Sequence, residues 1–255
     1  MEFAIDVARS VGGILREGYH QQKTISLKGV RDLVTEFDLQ SEEYIIEQIR
    51  EKYPRDGVLA EESGQLLGMT GQWVIDPLDG TTNFAHGIPF FAISIAYILG
   101  GETQLGVILD PMRDECFHAL RGNGAWLGDL QLQVSSSRKL EESVLGTGFT
   151  HTIEENPEKI LSQYSHASKQ ARAVRRLGSA ALHLAYVAAG RLDGYWEAGL
   201  FPWDWAAGML MVQEAGGRIS RIDGGDEVIR EPTSLLASNK FIHNELLWIF
   251  KQTDE

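Results

Sequence analysis

The sequence predicts a mixed α/β protein, with an α+β first half to about residue 135 and an alternating α/β second half. Three observations carry this reading. Apolar residues recur at helical spacing near the start, short strands joined by glycine turns fill the middle, and strands alternate with helices after Ser135-Ser136-Ser137. Phe3, Val7, Val11, Ile14 and Leu15 predict a helix over residues 2–18, ending near Gly18. Residues 25–27 read as a short strand, and Lys28-Gly29-Val30-Arg31-Asp32 as a polar loop. A helix follows over 35–52 with Phe37, Tyr44, Ile45 and Ile49 inward and Pro54 closing it; residues 58–60 form a strand running into Glu61-Glu62-Ser63-Gly64.

Residues 90–99 predict an apolar strand, and Gly100-Gly101 a hairpin turn. Strands over 104–109, 115–120 and 131–134, with a turn at Gly122-Asn123-Gly124, extend this into a meander, so the first half reads as helices on an antiparallel sheet. In the second half, strands are expected over 144–148, 192–197, 218–222 and 235–237. Helices are expected over 157–169, 179–189, 204–215 and 243–251, the third stopped by Gly216-Gly217.

A chain of 255 residues buries a substantial core, as one large domain or two packed halves. The start is acidic and amphipathic rather than signal-like, and residues 88–99 are too short an apolar run to span a bilayer. Cys116 is the only cysteine, which excludes an internal disulfide and a cysteine-based zinc site. A cytoplasmic location is the expectation. The formal net charge of −13 disfavours non-specific binding to nucleic acid or anionic membranes. It also opposes an anionic substrate unless bound cations invert the local field.

The chain is organised around residues 73–87, Trp-Val-Ile-Asp-Pro-Leu-Asp-Gly-Thr-Thr-Asn-Phe-Ala-His-Gly. An apolar run ends at Asp76, Asp79 follows three residues later, and Gly80 suits a sharp reversal into Thr81, Thr82 and Asn83. A strand end with two carboxylates beside backbone amides can hold divalent cations against a phosphate. Asp-Pro and Asp-Gly are also ordinary turn pairs, so the stretch gains meaning from three other places. Asp38 opens a helix, where Thr35-x-x-Asp38 also fits a capping box. Glu61 and Glu62 follow a strand, where an exposed acidic turn is the plainer role. Asp204 enters an apolar helix between Trp203 and Trp205; Pro202 and Asp204 suit a helix start, yet a buried aspartate needs a partner, which a metal supplies.

These stretches, with Trp203-Asp204 ahead of a helix ending Glu214-Ala215-Gly216-Gly217, resemble the inositol monophosphatase family, from about Lys28 to Gly217. That family sits with fructose-1,6-bisphosphatase among magnesium-dependent, lithium-sensitive phosphatases. The resemblance implies a five-layer α/β/α/β/α sandwich of the sugar phosphatase type. Residues 1–135 would carry most metal ligands; residues 136–255 would carry Asp204 and the substrate side. It implies a first Mg²⁺ on Glu61, Asp76 and the Leu78 carbonyl, a second on Asp76, Asp79 and Asp204, and a third on Glu61 and water. The Gly80 and Thr81 amides and the Thr81 hydroxyl would face phosphate and water, with Asp38 orienting Thr81. Glu197 and Asp204 would meet substrate hydroxyls, as would free amides at Gly178, Ser179 and Ala180. Lys28 matches a mobile-loop lysine, although Gly29-Val30-Arg31 departs from better-known members and puts the third ion in question.

The implied activity is Mg²⁺-dependent hydrolysis of inositol 1-phosphate or a similar small phosphorylated polyol or sugar, by a homodimer. Arg172, Arg175 and Arg176 leave two readings open, a second-phosphate site for fructose-1,6-bisphosphate or a phosphoadenosine nucleotide, or a solvated face. A further alternative is a regulatory partner in an RNA process with incidental catalysis. His86 matches no ligand position, His183 is expected to pack, and Trp203 and Trp205 to serve as wall and core.

Overall fold

The computed structural model describes residues 1–27, 33–149, 157–225 and 233–252. Helix α1 (Glu2–Tyr19) buries Val7, Val11 and Leu15 along one stripe, as their spacing requires. β1 (Ile25–Leu27) and β2 (Leu33–Thr35) form a separate antiparallel ribbon. Thr35 then caps α2 (Glu36–Lys52), where Asp38 completes the capping box read from the sequence.

β3 (Gly57–Ala60), β4 (Gly64–Leu66) and β5 (Gln72–Asp79) lead through the short α3 (Thr81–Ala85) into a meander. The meander comprises β6 (Ala92–Leu99), β7 (Glu102–Asp110), β8 (Glu115–Leu120), β9 (Ala125–Leu127) and β10 (Leu130–Gln131). These eight strands form one sheet in the order β10-β9-β8-β7-β6-β5-β3-β4. The sheet is not purely antiparallel as expected, because β3 and β5 run parallel. β4 folds back on the outer edge of β3, so the chain returns to the other side of β3 in the same direction. The expected strand over 131–134 shortens to Leu130–Gln131, since the Val134 amide leaves the ladder for the Ala215 carbonyl.

The second half supplies β11 (Val144–Thr147), α4 (Pro157–Gln170), β12 (Ala173–Arg175), α5 (Ala180–Ala188), β13 (Gly194–Leu200), α6 (Pro202–Glu214), β14 (Arg218–Ser220), β15 (Thr233–Ser238) and α7 (His243–Lys251). Its sheet runs β12-β11-β13-β15-β14, and β11 is parallel to both neighbours.

Side-chain alternation assigns the layers. Trp73, Ile75, Ile93, Ile95, Val107 and Leu109 pack under α1 and α2. Val74, Ala92, Ala96, Ile108 and Phe117 face the opposite way, onto α5 and α6. Those two helices are apolar all round because Tyr195, Leu235 and Ala237 of the second sheet cover their far side. Leu145, Trp196 and Leu236 point outward to α4 and α7. The result is the α/β/α/β/α sandwich, with a continuous core running from the first sheet to the second. Among the described residues no helix is long and apolar enough to cross a membrane.

Candidate active site

β5 carries its apolar run past Asp76 to Asp79, beyond where the sequence suggested a strand end. Residues three apart on a regular strand face opposite sides. Here the ladder shifts: Asp76 pairs with Ser94 and Asp79 with Ala92, so three steps of β5 match two of β6. Pro77 has no N–H to continue the ladder, and the Leu78 amide turns back to the Asp76 carboxylate at 3.0 Å. The extra residue restores parity. One oxygen each from Asp76, Asp79 and Asp204 therefore lies within 4.8 Å of the others.

Asp204 reaches this point from the other half of the chain. It accepts the Phe201 amide at 2.7 Å at the start of α6, and so also caps the helix. Ser94, the ladder partner of Asp76, donates its hydroxyl to the Trp203 carbonyl at 3.1 Å and pins that helix start above β6. Glu61 follows Ala60, whose partner in the parallel pair is Ile75, so its carboxylate stands near Asp76. Its charge helps raise the pKa of both Asp76 and Asp204.

The Glu61–Ser63 turn is held by Glu42, a buried residue of α2 that receives the Glu62 and Ser63 amides at 2.8 Å each. Glu42 is not among the residues singled out from the sequence. Its one local signal is its position four residues after Asp38, on the same helical face.

Gly80 adopts φ +98°, and a Cβ there would stand 2.9 Å from the Gly178 carbonyl, so only glycine makes this reversal without strain. Thr81 follows. Its hydroxyl lies 2.8 Å from Asp38 Oδ1 and 3.0 Å from the Leu78 carbonyl. Asp38 is fully buried and takes the Thr35 amide on its other oxygen at 2.9 Å. It thus caps α2 and anchors Thr81 at once.

Of the three amides expected free at the start of α5, the Ala180 amide is taken by Asp79. Asp79 accepts the Ser179 hydroxyl at 2.5 Å, the Ala181 amide at 2.7 Å and the Ala180 amide at 3.2 Å. A carboxylate that ends a strand opposite a helix N-terminus meets those donors before any substrate does. Asn83 closes the seam by donating to the Phe90 and Leu177 carbonyls at 2.7 Å each, 94 residues apart in the second case.

Gly178, Ser179 and Ala180 still line a cavity of about 600 Å³, together with Asp79, Gly80, Thr81, Glu197 and Asp204. Of the three arginines only Arg176 reaches it, above the Phe149 ring; Arg175 belongs to β12 and is exposed, so no triple-arginine site forms. His183 is buried and stacks on Tyr195, His86 is exposed, and Trp205 is core while Trp203 stacks on Phe201 at the surface. Lys28 lies outside the described residues.

Burial raises the pKa of Asp76 well above the usual carboxylate range, and repulsion from Glu61, Asp79 and Asp204 adds to it. Asp204 is raised well above that range by burial, then by Asp79. Asp79 rises to about 6 by burial, despite its three donors. Among the described residues no lysine or arginine pairs with these three. An all-oxygen set of buried, mutually repelling carboxylates fits a hard divalent cation, and Asp76, Asp79 and Asp204 would hold it.

A layered α/β protein with such a cluster beside a glycine-opened turn, at the seam of its halves, has the layout of a cation-binding enzyme site. The profile of the inositol monophosphatase family matches residues 1–255, and the chain belongs to that family. It is 43% identical over 246 residues to the Nus factor SuhB of Pasteurella multocida, covering 95% of this chain and 92% of that one. It is 44% identical over 237 residues to the inositol-1-monophosphatase of Mesorhizobium japonicum, covering 92% and 89%. The solved structure of extragenic suppressor protein suhB from Bartonella henselae superposes with a TM-score of 0.94 at 40% identity, over 99% of this chain and 98% of that one. The chain is a phosphoric monoester hydrolase.

Proposed function

We propose that the chain hydrolyses a small polyol monophosphate, with inositol 1-phosphate as the leading substrate, using roughly two to three Mg²⁺ ions. Glu61, Asp76 and the Leu78 carbonyl would hold one ion in this reading, Asp76, Asp79 and Asp204 would hold a second, and Glu61 would support a third. Mg²⁺ held there would supply acidification of the nucleophilic water and neutralise phosphoryl charge.

The protein's own part is positional. The Thr81 hydroxyl donates to Asp38 at 2.8 Å, which leaves its lone pairs to accept from the attacking water and orient it. The Gly80 and Thr81 amides open α3, where backbone donors lack partners within the helix, and receive phosphate oxygens. Glu197 and Asp204 accept hydrogen bonds from substrate hydroxyls. Residues 1–135 thus carry most of the metal site, and residues 136–255 carry Asp204 and the substrate wall.

One observation carries the polyol reading. Glu197 lines the same cavity as Asp79, Gly80, Thr81 and Asp204, so a hydroxyl acceptor shares the space of the phosphate-handling residues. Initial rates on inositol 1-phosphate, fructose-1,6-bisphosphate and an adenosine bisphosphate, with Mg²⁺ and after chelation, test it. Inositol 1-phosphate is expected to be preferred and all turnover to stop on chelation. Preference for either bisphosphate overturns the polyol assignment, and full turnover in a chelator overturns the metal requirement. Lithium is expected to inhibit by competing at the Asp76, Asp79 and Asp204 position.

Relatives named Nus factor favour a second role, as a regulatory partner in an RNA process. Full cellular function of a catalytically dead Asp204→Asn variant would make that role the dominant one. The reading includes a cytoplasmic homodimer, for which sedimentation of the purified chain is the check on assembly.

A further inference from the structure

Tyr195 and Glu197 lie two residues apart on β13 and so share a face. Tyr195 is fully buried, and its phenol donates to Glu197 Oε2 at 2.5 Å. The His183 ring lies against it, with centroids 4.8 Å apart and planes 8° from parallel. That ring accepts the Leu177 amide through Nε2 at 3.4 Å, which ties the stack to the loop ahead of α5. A Cβ at Gly148 would overlap the Glu197 carboxylate, Oε2 nearest, so the acid lies against bare backbone. Thr147 locks that backbone by donating to the Trp196 carbonyl at 2.9 Å. Burial and the neighbouring Glu197 charge hold the Tyr195 phenol well above its ordinary pKa, which keeps it a donor.

The carboxylate therefore sits in a slot with one oxygen committed. We propose that Tyr195 is a positioning residue that, with the bare backbone of Gly148 packed against the carboxylate, occupies one oxygen of Glu197 and aims the other into the cavity as an acceptor for a substrate hydroxyl. A side chain presented this way favours phosphate esters carrying a hydroxyl donor near the phosphate over esters with no donor. The inference rests on the polyol reading of the cavity and names the residues that set its selectivity.

The test compares inositol 1-phosphate with p-nitrophenyl phosphate, which offers no alcohol hydroxyl, on the full chain with Mg²⁺. Tyr195→Phe removes only the phenolic oxygen. It is expected to lower the ratio of kcat/KM for the two substrates about 3- to 30-fold, mostly through KM for inositol 1-phosphate. Gly148→Ala displaces the carboxylate and is expected to lower the same ratio. Glu197→Gln reports on the underlying reading. If it leaves the ratio unchanged, the polyol assignment fails. If it lowers the ratio while Tyr195→Phe and Gly148→Ala do not, the assignment stands and the positioning role is overturned. Equal losses on both substrates in those two variants mark a purely structural role and also overturn it. Should Tyr195→Phe fail to fold, Gly148→Ala alone decides.

Discussion

The two acidic regions of the cavity are built on opposite principles. Asp76, Asp79 and Asp204 come from two halves of the chain, repel one another and lack a cationic partner among the described residues. Glu197 is also buried and rises to about 7, but a neutral phenol already donates to it. Both regions hold carboxylates in a dry wall. The first group has no cationic side chain beside it among the described residues, whereas the second has a phenol donor and the nearby Arg176 charge, which lowers its pKa. In the proposed function, that contrast separates a cation site from a hydroxyl site, although the ligands are the same functional group.

The largest expected effect follows from this division. Asp79→Asn and Asp204→Asn should each lower kcat by at least ~10³-fold, about 4 kcal/mol of transition-state stabilisation, with the fold intact. In a chelator both variants should melt no lower than wild type, because each removes a repelling charge. A variant that melts much lower without metal would show that the carboxylate serves the fold, and the contrast would break.

Next in size is a pH effect on metal-free protein. The pKa of Asp79 is about 6 folded against 3.8 as a model carboxylate, so between those values the folded state holds more protons than the unfolded. Stability then falls as pH rises through that window, by about 3 kcal/mol from this group. Melting temperatures in a chelator, compared with Asp79→Asn, should show wild type losing ground from about pH 4 to pH 6. Saturating Mg²⁺ should flatten the difference. A difference that does not vary with pH would mean the carboxylates are relieved without a cation.

The smallest effect concerns Glu42. Glu42→Gln keeps the shape but weakens the grip on the Glu62 and Ser63 amides, leaving Glu61 less well placed. The apparent Mg²⁺ affinity from activity titrations should drop about 10- to 100-fold, with smaller change in kcat at saturation. Unchanged affinity would remove Glu42 from the metal corner and leave it a structural clamp.

Much of the architecture was legible because burial imposes short periods on sequence. α1, α2 and α7 follow from their apolar spacing, and the glycine pair at 100–101 marks the β6–β7 hairpin, with both residues at positive φ. The parallel β3–β5 pair was not legible, since strand direction depends on where β4 docks. The candidate site divides in the same way. Asp76, Asp79 and Asp204 stood out at element edges, and the capping pair Thr35 and Asp38 was readable locally. Glu42, Asn83 and Tyr195 were not, because each acts on backbone or a side chain that the chain's own spacing does not disclose as a partner. The Ala180 amide differs from expectation for a related reason, since nothing local shows that Asp79 arrives to take it.

By itself the sequence marked the candidate acidic residues and the faces that must be buried, because charge, apolar period and turn chemistry are local properties of a chain. The tertiary structure alone brought Asp76, Asp79 and Asp204 together and set the Tyr195 phenol against Glu197. Proximity across 128 residues, from Asp76 to Asp204, arises from sheet register and layer packing rather than from any neighbouring residue.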